Sequence, residues 1–74
     1  MKGLNDKLVT TTIVEALRRN GALEMGDLYK QVKKLHGEMG GRFFNEVLMT
    51  MELQGLIRVY SMAREKRRVE LVRR

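Results

Sequence analysis

No cysteine occurs in the 74 residues, which excludes a disulfide framework or a thiolate zinc site as the source of stability. A hydrophobic core alone must hold the fold, and a chain of this size lies near the lower limit for doing so. One domain spanning 1–74 is therefore expected, with residues 1–6 as a candidate disordered end and no room for a second core. A cysteine-free composition suits a reducing compartment, and Met1–Asp6 lacks the apolar run of a signal peptide, so the expected location is the cytoplasm. Long apolar runs are missing too. The longest extend two or three residues, against the roughly 20 needed to cross a bilayer, so no membrane partner is expected.

Aromatic side chains are scarce: Tyr29, Phe43, Phe44 and Tyr60 are the whole set. That argues against a reader of single-stranded RNA, whose surface exposes stacking rings. His36 is the only histidine. With no cysteine beside it, a metal would need an all-carboxylate set around one imidazole, so His36 is read as a helix-end residue and no metal or cofactor is expected. Gly40-Gly41 has neither the spacing nor the Lys-Ser/Thr ending of a P-loop and is read as a turn. No Ser/His/Asp set is recognisable, and the chain is too small to enclose much of a substrate pocket, so catalysis is not expected.

Positive charge, by contrast, is abundant. The formal net charge is +6, a field suited to a polyanion. Residues 1–55 hold eight Lys/Arg against seven Asp/Glu, a net of +1, whereas residues 56–74 hold seven against two, a net of +5. The basic end also contains Val69, Leu71 and Val72, an interleaving unlike that of a disordered tail.

Val9, Ile13, Ala16 and Leu17 fall on one helical face, and Asn20-Gly21 supplies a left-handed stop, predicting a first helix over about 7–20. Asn5 and Asp6 are candidate caps, and Thr12 with Glu15 forms a competing capping-box pair. The β-branched run Val9–Val14 leaves a strand as the alternative. Ala22–Met25 reads as a brief extended segment ahead of Gly26-Asp27. Leu28, Val32 and Leu35 then make the stripe of a second helix, closed by Gly37 after His36. After the link Gly37–Gly41, a third helix buries Phe44, Val47, Leu48 and Met51 and ends at Gly55. The period then changes: Leu56–Ser61 and Arg67–Val72 are β-rich and flank the charged Met62–Lys66, predicting a hairpin.

The order helix, short strand, helix, turn, helix, hairpin resembles the winged helix-turn-helix superfamily over nearly the whole chain. The densest match is Leu48-x-x-Met51-Glu52-x-x-Gly55-Leu56-Ile57, similar to the end of the recognition helix and the start of the wing; Ile13-x-x-Ala16-Leu17-x-x-x-Gly21 resembles the first helix. The resemblance implies a mainly α fold with a small β-hairpin, a three-helix core plus a two- or three-stranded sheet. It also implies double-stranded DNA as partner, as for a transcriptional regulator or chromatin-associated factor, with the third helix in the major groove and the wing on the backbone.

On that expectation the outward face of the third helix carries Arg42, Glu46, Met49 and Leu53, flanked by Asn45 and Thr50. Arg42 suits guanine and Asn45 adenine, with Met49 beside them. The wing offers Arg64, Lys66, Arg67 and Arg68 to phosphates, and Lys30, Lys33 and Lys34 are further candidates for backbone contacts. Against DNA, Arg42–Gln54 carries one positive and two negative residues. Met49 and Leu53 suit a protein interface or dimer seam equally well. The second strand ends within two residues of Arg74, leaving no additional helix for dimerisation, so a monomer is the default.

Overall fold

The computed structural model describes residues 6–72. Three helices, α1 (Asp6–Asn20), α2 (Met25–Leu35) and α3 (Gly41–Leu53), are joined to three strands, β1 (Leu23–Glu24), β2 (Ile57–Ser61) and β3 (Arg67–Leu71), with a turn of 3-10 helix at Ala63–Glu65. The strands form one antiparallel sheet in the order β1-β3-β2. The chain is thus mainly helical with a small three-stranded sheet, and no helix among the described residues is long and apolar enough to cross a membrane.

The helical reading of Val9–Val14 holds, because Val9 and Ile13 go into the core with Ala16 and Leu17. Apolar burial at helical spacing outweighs the β-branched propensity. The capping pair Thr12/Glu15 does not form, since both residues lie inside α1; Thr12 instead donates its hydroxyl to the Leu8 carbonyl at 2.9 Å. Of the candidate disordered end 1–6, residues 1–5 fall outside the described residues and Asp6 is the first residue of α1.

Both helix ends that pass into the sheet region close on left-handed glycines. Gly21 has φ +74° and its N–H bonds the Leu17 carbonyl at 2.8 Å, a single-bond stop for α1. Gly55 has φ +79°; its N–H meets the Glu52 carbonyl at 3.0 Å, while the Leu56 N–H meets that of Met51 at 2.9 Å. These paired bonds make a Schellman motif that hands α3 directly to β2.

The expected end of α2 needs correction. The helix stops at Leu35 with His36 as C-cap, and Gly37 is not left-handed. Leu35 is 72% exposed although it lies on the Leu28/Val32 stripe, whereas Met39, four residues later, is fully buried. The physical reason is the reversal after His36, whose carbonyl accepts the Met39 N–H at 2.9 Å. The Met39 carbonyl is held in turn by Tyr29 Oη at 3.2 Å and Lys33 Nζ at 2.9 Å. At the other end, Met25 belongs to α2 rather than to the extended segment.

Phe44, Val47, Leu48 and Met51 of α3 join the α1 and α2 stripes, Ile57 and Val69 in one buried cluster. Tyr29 meets Phe44 edge-on at a ring separation of 5.1 Å. Burial of a side chain such as Phe44 stabilises the fold by about 1.5–3 kcal/mol.

Candidate nucleic-acid interface

With one face of α3 committed to the core, the opposite face presents Arg42, Asn45, Glu46, Met49 and Leu53 to solvent. Leu53 is 83% exposed. The structure therefore brings together the predicted readers Arg42, Asn45 and Met49 with the candidate protein contact Leu53. Arg42 also pairs with Glu46, one turn on, at 4.0 Å, while its side chain is 94% exposed. An ion pair so solvated is worth between nothing and about 1 kcal/mol, so it is readily exchanged for another anion. Thr50 donates to the Glu46 carbonyl at 3.1 Å.

The hairpin tip has an unusual backbone. Arg64 (φ 61°, ψ 45°) and Glu65 (φ 64°) both occupy the left-handed region without being glycine. Two consecutive left-handed residues between antiparallel strands suit their twist, but each costs roughly 1–2 kcal/mol for a residue with a Cβ. The ladder clamps the turn from both sides: the Met62 N–H reaches the Lys66 carbonyl at 2.6 Å, and Ser61 pairs with Arg67. Arg64 is consequently carried at the outermost point of the hairpin.

The pleat sorts the other hairpin cations onto different faces. Arg67 shares the inward side of β3 with Val69 but lies beyond the core, where it lines a shallow cavity of about 240 Å³ with Glu52, Val59, Tyr60 and Ser61. Arg68 lies on the outer face, in register with Tyr60 on one neighbour and Glu24 on the other. Lys66 pairs with Glu24 at 3.8 Å. Tyr60 Oη donates to Glu70 at 2.6 Å, and this bond to a carboxylate raises the phenol above its usual value of 10.0.

Of the α2 lysines, Lys30 and Lys34 are exposed one turn apart. Lys33 differs: it donates to the Gly37 and Met39 carbonyls at 3.2 and 2.9 Å and lies 5.8 Å from the centre of the Tyr29 ring. Its ammonium fastens the α2–α3 link. Sequence reasoning missed this role, and it missed Glu24 as a partner of Lys66 and Arg68, and Glu70 as a partner of Arg58 and Tyr60. Only the ladder register could have revealed the latter. Among the described residues no group of three His, Cys, Asp or Glu side chains is placed to hold a metal.

Comparison with known proteins gives no significant match to any family model, curated protein or solved structure.

Proposed function

We propose that this chain is a winged helix-turn-helix domain, working in the cytoplasm, that binds double-stranded DNA through its hairpin and the exposed face of α3. The observation that carries the reading is the uncompensated charge of the hairpin. Arg64 and Arg67 make no ion pair among the described residues, while the two left-handed tip residues hold Arg64 outermost. A strained turn that keeps a cation in solvent is costly for folding alone, and strain of that kind concentrates where a surface has a task. Arg64, Arg67, Arg68, Lys30 and Lys34 supply phosphate contacts, and Arg42 with Asn45 reads base edges.

Neutralising about five phosphates implies a several-hundred-fold loss of affinity between 50 and 200 mM salt. Fluorescence-anisotropy titration of random-sequence duplex DNA at those two concentrations tests this. Binding that is absent at low salt, or insensitive to salt, sinks the proposal.

A second reading is favoured by Met49 and Leu53, two exposed apolar side chains one turn apart on a helix segment with more acid than base. It makes α3 a protein-docking face. Met49→Glu with Leu53→Glu then abolishes partner capture and leaves salt-sensitive DNA binding through the hairpin intact.

A further inference from the structure

The sheet has one long free edge. β2 pairs with β3 along one side, and among the described residues no strand pairs with its other side. The ladder extends beyond the strand ends in the same register, since the Val72 N–H bonds the Leu56 carbonyl at 3.0 Å and the Met62 N–H bonds that of Lys66. Residues 56, 58, 60 and 62 therefore direct their backbone groups at β3. By the alternation of an antiparallel ladder, the N–H and C=O groups of Ile57, Val59 and Ser61 point out of the free edge. Natural edges are usually protected by lysine, proline, a bulge or a covering segment. Here Arg58 is the only charged residue between Gly55 and Arg64.

We propose that this edge is a homodimer seam, in which β2 pairs antiparallel with β2 of a second copy about a two-fold axis at Val59, making one six-stranded sheet. The strand's own pattern selects both occupant and register. Only a pairing of odd residues with odd residues joins the free backbone groups, and centring it on Val59 engages all three: Ile57 with Ser61, Val59 with Val59, Ser61 with Ile57. The same register sets Leu56 opposite Met62 and Arg58 opposite Tyr60 at both ends of the seam. Leu56, Tyr60 and Met62 are all exposed in the single chain, so two apolar pairs and two cation–aromatic pairs gain partners at once. Shifting the axis to residue 58 would set Arg58 against Arg58, and shifting it to residue 60 would leave the Ile57 groups unpaired. Arg64 and Arg42 contribute nothing to the seam, so the inference does not depend on the DNA reading.

Because the chain has no cysteine, single cysteines report the register directly. Opposed residues in a hydrogen-bonded pair stand about 5.5 Å apart at Cα, within the range of a disulfide. The two copies of Ser61 would lie four residues out of step, more than about 12 Å apart. Light scattering of the parent chain at high micromolar concentration, without nucleic acid, is expected to give twice the chain mass. In a glutathione redox buffer, Val59→Cys is expected to cross-link at least about tenfold faster than Ser61→Cys. Tyr60→Lys, which can still pair with Glu70 in its own chain but faces Arg58 of the second copy, should be a monomer with unchanged circular dichroism. A monomeric parent, equal cross-linking by the two cysteine variants, or a dimeric Tyr60→Lys would each overturn the proposal.

Discussion

Thr12 Oγ1 lies 2.9 Å from the Leu8 carbonyl and 2.9 Å from His36 Nε2, joining the middle of α1 to the C-cap of α2. A hydroxyl has one proton, and Thr12 donates it to Leu8, so in the His36 contact the hydroxyl oxygen accepts and Nε2 carries the hydrogen. Thr12→Val keeps the shape but leaves a half-buried imidazole N–H without its partner. A loss of about 1 kcal/mol is expected in urea denaturation, with Thr12→Ser retaining most of the parental stability. Equal stability of the valine variant and the parent would show that this bond contributes nothing.

Tyr60 supplies a pH-dependent contribution on the outer face of the sheet. Its raised phenol, caused first by the hydrogen bond to Glu70, means that the folded state holds this proton more tightly than the unfolded state. The resulting stabilisation is present below about pH 10, the unfolded value, and is lost as pH rises through the folded one. Ultraviolet difference titration should place Tyr60 higher in the parent than in Glu70→Gln. No difference between the two curves would remove Glu70 as the cause.

Met39 takes the buried place that helical spacing assigns to Leu35. Met39→Ala should cost about 2–5 kcal/mol, as for a large core side chain. Leu35→Ala should stay within about 0.5 kcal/mol. Thermal melts of the two single variants compare them directly, and a larger loss at Leu35 would contradict the burial.

The hairpin tip separates stability from binding. Glu65→Gly relieves one left-handed residue and should raise stability by about 1 kcal/mol, equivalent to roughly 4–8 °C in Tm for a chain of this size. It also removes an acid beside Arg64, so duplex affinity should not fall. Arg64→Ala with Arg67→Ala should instead weaken binding to all sequences alike and reduce the salt slope by about 2. An unchanged slope would take the hairpin out of the interface.

Much of this architecture is legible because it is local. The α1 and α3 stripes, the left-handed stop at Gly21, the end of α3 at Gly55 and the change of period after it each depend on residues a few positions apart, and all appear in the structure. The exposed set Arg42, Asn45, Met49 and Leu53 follows from the same geometry, since the buried stripe of a helix defines its opposite side. Lys33 escapes such reasoning because its partners are carbonyls of a turn whose path is irregular. Lys66 escapes it because Glu24 reaches it only through the β1–β3 pairing, more than forty positions away in the chain.

Three helices and a hairpin, the stops of α1 and α3 at Gly21 and Gly55, and the concentration of positive charge near the C-terminus are readable in the sequence, because hydrophobic period, turn chemistry and formal charge act over one or two turns of chain. It took tertiary structure to put Met39 rather than Leu35 in the core, to divide the hairpin cations between two faces of the sheet, to give Arg64 and Glu65 left-handed backbone, and to leave β2 with a free edge. Those outcomes depend on which distant segments meet and in what register, and register is set by the packing of the whole chain.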